Sequence, residues 1–107
     1  MEQKIIALPR LNNLSPTLES TALKLMEEAG ELAQAIGKFR GLNGEKFSLD
    51  EEEAMQRITQ ELLDVAQTAV SMMFVLEENH GANIDTALNA HIYKLKQKGY
   101  LIEGVKK

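Results

Sequence analysis

The stretch LMEEAGELAQAIGKF, residues 25–39, decides the fold of this chain. Apolar residues recur in it at steps of three and four, which is the spacing of one face of an α-helix. The pattern predicts a first helix that runs to about Arg40, with Ser15 as its N-cap and Pro16 at its first position. The predicted packing seam of this helix consists of Leu18, Ala22, Leu25, Ala29, Leu32, Ile36 and Phe39.

A second helix with the same spacing follows a loop, residues 41–47, that contains two glycines. We expect Ser48 to cap this helix in a capping box with Glu51, and the helix to run to about Glu78. Its predicted seam consists of Met55, Ile58, Leu62, Val65, Ala69, Met72 and Leu76.

A third, shorter helix is predicted from Ile84 to about Lys98. Gly81 is expected to end the preceding helix, Asn83 to cap the new one, and Gly99 to end it. These elements predict an all-α fold, in which a helical hairpin of two long helices is followed by a shorter third helix.

The chain is expected to form one domain over residues 1–107, with a lead-in segment at 1–14 and a short tail at 99–107. Four apolar residues of the lead-in are expected to dock on the helices, and these are Ile5, Ile6, Leu8 and Leu11. Two long helices cannot bury both seams alone. We therefore expect homodimerisation to complete a four-helix bundle core, with a dimer of dimers left open.

Composition excludes several classes of function. The chain has no cysteine, which excludes disulfides, thiolate nucleophiles and cysteine-ligated zinc. Its net charge of −4 provides no basic surface for nucleic acid. No apolar run approaches a membrane span, and the N-terminus has too short an apolar core for a signal peptide. We expect a cytoplasmic protein with no nucleic-acid or membrane partner.

Two pairs of acidic residues flank the seams, Glu28 with Glu31 and Glu61 with Asp64. If the seams face each other, the two pairs also face each other. Four carboxylates in one half-buried cleft need protons, lysines or divalent cations to offset their repulsion. Their hard oxygen ligands suit Mg²⁺, with Mn²⁺ as a possible substitute, better than zinc. A carboxylate-bridged di-iron protein is a weaker alternative, because neither acidic pair includes the histidine of the Glu-x-x-His motif.

The segments EEAGELAQAI, residues 27–36, and ELLDVAQTAV, residues 61–70, resemble the MazG-like nucleotide pyrophosphohydrolases of the all-α NTP pyrophosphatase superfamily. The family signature is Glu-x-x-Glu on one helix and Glu-x-x-Asp on the next, and the resemblance covers roughly residues 15–100. It implies Mg²⁺-dependent cleavage of a (d)NTP to the (d)NMP and pyrophosphate, as in the housecleaning of nucleotide pools. The alternative is a non-catalytic interaction or regulatory module that keeps this fold.

The resemblance also implies roles for single residues. Glu27 matches a position that can act as the base toward the attacking water. Lys94 and Lys98 match a basic segment that contacts phosphates, although the family usually has arginine at the second place. Lys38 lies beside Phe39, where relatives often carry an aromatic residue that stacks on the base, and Thr68 is expected to line the base pocket. The chain has no tryptophan, and the preferred base stays open.

Overall fold

The computed structural model describes residues 1–41 and 50–102, and these ranges contain three α-helices and no β-strand. The helices are α1 (Leu18–Arg40), α2 (Glu51–His80) and α3 (Ile84–Gln97). The predicted all-helical class and the order of the helices are therefore confirmed. Within the described ranges, no helix combines the length and the apolar character that crossing a membrane requires.

The first helix begins two residues later than predicted. Its N-cap is Thr17, not Ser15, and Pro16 precedes the cap instead of opening the helix. The reason is a reciprocal capping box, in which Thr17 Oγ1 accepts from the Ser20 N–H at 3.0 Å and Ser20 Oγ accepts from the Thr17 N–H at 2.8 Å. At the other end, Gly41 adopts the left-handed conformation (φ +71°) and ends α1 after Arg40 as expected.

The start of α2 also differs from the prediction. The N-cap is Asp50, whose side chain makes no capping hydrogen bond. Ser48 and most of the predicted loop lie outside the described residues. The helix ends at His80, two residues later than predicted. As expected, Gly81 stops it in the left-handed region (φ +69°).

The bounds of α3 agree closely with the sequence prediction. Asn83 is the N-cap, and its side chain accepts a hydrogen bond from the Thr86 N–H at 3.0 Å. The helix ends at Gln97, and Gly99 follows with φ +81°. These ends could be predicted because each depends on a cap or a glycine within a few residues.

The packed face of α1 is rotated relative to the predicted seam. Thr21, Glu28 and Ala35 are its buried residues, whereas the predicted Ala22 and Ala29 are exposed. The predicted Ile36 is exposed as well. Leu18, Leu25, Leu32 and Phe39, which were also predicted, are half-buried. Because Glu28 belongs to the packed face itself, its carboxylate lies between the helices.

The packed face of α2 is rotated in the same way. The buried residues of α2 are Ala54, Thr68, Ser71 and Val75. Of the predicted seam, Met55 and Leu62 are exposed, while the other five residues are half-buried. The hairpin interface is therefore lined by small and polar side chains, and no large side chain in the described ranges is fully buried.

The third helix makes little contact with either helix of the hairpin, and none of its residues is buried. The Cα radius of gyration is 17.5 Å, compared with about 13 Å expected for a compact domain of this length. Large apolar side chains such as Met26, Leu62 and Leu88 are more than half exposed. A single chain therefore leaves much apolar surface uncovered.

The lead-in segment docks on α2 mainly through polar groups, and most of the predicted apolar residues are exposed. Ile5, Ile6 and Leu11 are exposed, and only Leu8 is half-buried. The contacts come from the next two residues. The carbonyl of Pro9 accepts from Gln67 Nε2 at 2.8 Å. Arg10 forms an ion pair with Glu78 at 2.7 Å and lies over the ring of Phe74, 5.1 Å from its centroid.

Candidate metal centre and adjoining cleft

Glu28 is a buried carboxylate at the centre of the hairpin interface, with only 6% of its surface exposed. One oxygen, Oε1, is paired with Lys24 Nζ at 3.1 Å. The other oxygen, Oε2, is buried and has no hydrogen-bond partner among the described residues. A buried carboxylate oxygen without a donor is costly unless a cation or a proton binds it.

Helix α2 brings two more carboxylates to the same place. One oxygen each from Glu28, Glu61 and Asp64 lie within 4.8 Å of one another. Glu61 is half-buried, and its Oε2 also lacks a hydrogen-bond partner within the described part of the chain. Asp64, one turn further along α2, is exposed to solvent. The antiparallel hairpin therefore places carboxylates from both helices next to one another.

A second acidic group overlaps the first on α1. One oxygen each from Glu27, Glu28 and Glu31 lie within 4.8 Å of one another, and Glu27 and Glu31 are exposed. The negative charge of Glu28 raises the pKa of Glu31, and desolvation and the charge of Glu61 raise it further. The proton is held more tightly because neighbouring carboxylates disfavour the ionised form. All four predicted metal ligands thus belong to two groups that share Glu28.

Lys24 is a site residue that the sequence prediction missed. Its Nζ lies 3.1 Å from Oε1 of Glu27 and 3.1 Å from Oε1 of Glu28. The hydrogen bond to Glu27, followed by that to Glu28, raises the pKa of Lys24. The signal was present in the sequence, since residues three and four apart on a helix are neighbours. Lys24 supplies an internal counter-charge to acids that otherwise repel.

The donor set fits a divalent cation. It consists of carboxylate oxygens only, as Mg²⁺ and Mn²⁺ prefer. Two of these oxygens, on Glu28 and Glu61, are buried without a hydrogen-bond donor in the described ranges. The Glu-x-x-His spacing does occur in the chain, at Glu77 and His80, but both residues are exposed at the end of α2 and belong to neither acidic group. The acids therefore form an all-oxygen site.

A cleft of about 430 Å³ adjoins the acids. Its size lies within the range of small-molecule sites. Glu28 and Asp64 belong both to the cleft and to the acidic group. The other lining residues come from the lead-in, from the connection between it and α1, from the first turns of α1 and from the middle of α2. They are Leu11, Leu14, Ser15, Pro16, Ser20, Thr21, Lys24, Gln67, Thr68 and Ser71.

Thr68, predicted to line a base pocket, lies in this cleft. Its side chain is buried, and its Oγ1 donates to the Asp64 carbonyl at 2.9 Å. Across the cleft, Thr21 Oγ1 donates to the carbonyls of Thr17 at 2.8 Å and Leu18 at 3.0 Å. Both hydroxyl protons are engaged by the helix backbone, so that each oxygen is left to accept hydrogen bonds.

The three predicted basic residues are not brought to the acids. Lys38 is half-buried near the end of α1, two turns beyond Glu31, and does not line the cleft. Lys94 and Lys98 lie at the end of α3, which makes little contact with the hairpin and contributes nothing to the cleft. Within one chain, the acids and these lysines are therefore separate.

Comparison with known proteins identifies the family of the chain. The family model described as the MazG nucleotide pyrophosphohydrolase domain matches residues 16–99, which include all of α1, α2 and α3. No curated protein and no solved structure gave a match. The family match spans most of the chain, including both acidic pairs. The chain belongs to the MazG nucleotide pyrophosphohydrolase family.

Proposed function

We propose that this protein is a Mg²⁺-dependent nucleoside triphosphate pyrophosphohydrolase that cleaves a (d)NTP to the (d)NMP and pyrophosphate. The family implies a hydrolase of this class. The observation that carries the proposal is the convergence of Glu28, Glu61 and Asp64, with two buried carboxylate oxygens that lack donors among the described residues. Such a site is expensive to maintain unless a cation and an anionic substrate use it.

Glu28, Glu31, Glu61 and Asp64 would hold the metal. When bound there, Mg²⁺ supplies Lewis-acid chemistry for cleavage between the α and β phosphates, and Mn²⁺ can substitute. Glu27 is the candidate general base toward the attacking water. It is exposed, it lies in the same acidic group as Glu28, and its carboxylate is held by Lys24. Lys24 contacts only Oε1 of Glu27, so that the second carboxylate oxygen is the one available to accept a proton.

Homodimerisation is the second part of the proposal. At 100° per residue, the exposed Ile36 of α1 and the exposed Met55, Leu62 and Met73 of α2 lie on one face of the antiparallel hairpin. Lys24, Glu31 and Asp64 lie on the opposite face. A second hairpin packed on the apolar face would form a four-helix core and leave the acids accessible to substrate.

The basic residues of α3 also favour a dimer. Lys94 and Lys98 lie one turn apart on a helix that barely contacts its own hairpin. We propose that these lysines contact phosphates at the acidic site of the partner subunit, and that Lys38, on the same side of α1 as Glu31, contributes from within the chain. We place the enzyme in the cytoplasm, in the housecleaning of nucleotide pools. A dimer of dimers is compatible with the same contacts.

The deciding experiment is a pyrophosphate-release assay with canonical and modified (d)NTPs, in Mg²⁺, in Mn²⁺ and in EDTA. The variant Glu61→Gln removes a central ligand, and Glu77→Gln is the matched control on the same helix. We expect metal-dependent release that survives in Glu77→Gln and is lost in Glu61→Gln. No release from any nucleotide, together with no metal-induced rise in Tm, would instead support a non-catalytic helical module.

A further inference from the structure

The cleft beside the acids has two chemically different sides. On one side, Leu11 and Leu14 of the lead-in and Pro16, which follows it, present apolar surface. On the other, Gln67 and Thr68 of α2 present polar groups. Leu14 is 66% exposed although it lines a cleft, so that its apolar surface is uncovered where a ligand would enter.

The position of the apolar side of the cleft depends on a few polar contacts between the lead-in and α2. Neither the lead-in nor residues 15–17, which connect it to α1, contain a helix or strand. Gln67 Nε2 donates to the Pro9 carbonyl at 2.8 Å, and Arg10 holds Glu78 and covers the ring of Phe74. A second cleft of about 390 Å³ lies on the other flank of the segment. Because open space lies on both flanks of the segment, the contacts of Pro9 and Arg10 are the main restraint on its position.

We infer that residues 9–16 form the wall of the nucleoside subsite, and that Arg10 is a positioning residue that sets this wall against α2. The inference rests on the proposed function, because the acids would hold the phosphates and their metal. Glu28 and Asp64 belong both to the acidic group and to the cleft. A nucleotide with its phosphates at the acids therefore places its nucleoside in the cleft. The flat face of a base suits Leu11 and Leu14, and its polar edge suits Gln67 and Thr68.

The test separates nucleoside binding from phosphate binding. Isothermal titration calorimetry in Mn²⁺ compares the α,β-methylene analogues of the four canonical dNTPs with inorganic tripolyphosphate, which has no nucleoside. The variants are Leu14→Ala, which trims the wall, and Arg10→Ala, which releases it. Lys4→Ala is the control, because it removes a positive charge from the same segment without touching the cleft.

For both variants, we expect affinity for the best-bound dNTP analogue to fall about tenfold, equivalent to about 1.4 kcal/mol, with unchanged affinity for tripolyphosphate. In the release assay, KM should rise by a similar factor and kcat should change little. The charge reversal Arg10→Glu should be rescued in part by Glu78→Arg in the same chain, because the ion pair is rebuilt. Lys4→Ala should behave as wild type.

Equal loss of dNTP-analogue and tripolyphosphate affinity, or no loss of either, would overturn the assignment of the wall. Loss of dimer in Leu14→Ala, seen by light scattering, would also overturn it and make this surface a subunit contact. Wild-type protein that binds the analogues but releases no pyrophosphate would overturn the proposed function alone. Wild-type protein that binds no analogue would overturn both.

Discussion

Glu28 of α1 and Glu61 of α2 meet across the hairpin, and each carries a buried Oε2 that no donor in the described ranges satisfies. Their approach couples the fold to the site, because both residues lie on the packed faces of their helices. The hairpin cannot close without bringing the two carboxylates together. Metal binding and hairpin stability should therefore be linked.

Glu28→Gln tests the centre of the site. The amide keeps the size of the side chain but removes the charge that a cation needs. We expect pyrophosphate release to fall by about 100-fold or more, since loss even of an outer-shell partner commonly costs 10- to 100-fold. The rise in Tm that Mn²⁺ causes should disappear. Glu19→Gln, exposed on the same helix, is the control, and an unchanged Mn²⁺ effect in Glu28→Gln would contradict the assignment.

The pH dependence of stability tests the repulsion among the acids. The charge of Glu28 raises the pKa of Glu31 in the folded protein, so the folded state binds this proton more tightly than the unfolded chain does. The resulting stabilisation is present below the ordinary carboxyl pKa and is lost as the pH rises through the raised pKa. In EDTA near neutral pH, Glu31→Gln should therefore melt at a higher temperature than wild type.

This difference should shrink as the pH falls through the raised pKa of Glu31, where the side chain takes up its proton. Thermal melts over this pH range, with Glu77→Gln as the control, measure the effect. The charges that face Glu31 are those of Glu27, Glu28 and Glu61, and Lys24 partly offsets them. A Glu31→Gln protein that melts below wild type at neutral pH without metal would show that the carboxylate stabilises the fold.

Lys24→Gln tests whether lysine and metal offset the same charge. Without metal, the variant leaves the buried Glu28 carboxylate without its counter-ion. We expect a lower Tm than wild type in EDTA and a larger rise in Tm on adding Mn²⁺, so that the two proteins converge at saturating metal. Differential scanning fluorimetry across a Mn²⁺ titration measures both quantities. A Tm deficit that metal does not reduce would mean that Lys24 acts independently of the site.

Leu62→Glu tests the dimer. Leu62 is 52% exposed in the single chain and lies on the apolar face of the hairpin. A charge there would be buried against the partner, at a cost of several kcal/mol. Size-exclusion chromatography with light scattering should therefore show monomers, and activity should fall because Lys94 and Lys98 no longer reach a partner's site. Leu23→Glu, on the outer side of α1, is the control. A stable Leu62→Glu dimer would place the interface elsewhere.

Gly30→Ala tests whether anything approaches the outer side of α1. Apart from the backbone of its own helix, a Cβ built at Gly30 meets no atom of residues 1–41 and 50–102 within 4 Å. Alanine should stabilise the protein by about 1 kcal/mol, the usual difference in helix propensity. Urea unfolding measures this change in free energy. A loss of stability would show that a partner subunit packs against Gly30. As a control, Gly41→Ala should destabilise the protein, because Gly41 adopts the left-handed conformation.

Features that depend on neighbours in the chain could be predicted from the sequence. Gly41, Gly81 and Asn83 end or begin helices through local conformation and capping, and the structure has them in those places. The same applies to the spacing of Glu28 with Glu31, which one turn of helix brings together. Lys24 follows the same rule and could have been found by it.

Features that depend on packing could not be predicted in the same way. The apolar stripe of α1 is wide enough to face two partners. Only the contact with α2 decides that Thr21 and Glu28 are buried while Ala22 and Ala29 stay exposed. The lead-in docks through a hydrogen bond from Gln67 to Pro9, 58 residues apart in sequence. No local pattern encodes such a contact.

The sequence by itself determined three helices, several of their ends and two pairs of acids, because helix periodicity and capping are short-range. Only the tertiary structure decided how far each helix is rotated, since that rotation depends on which side chains fit between α1 and α2. This rotation turns Glu28 from a flanking residue into a buried one and leaves its Oε2 without a donor among the described residues. Burial, which the sequence pattern does not specify, makes these acids a candidate site for a cation.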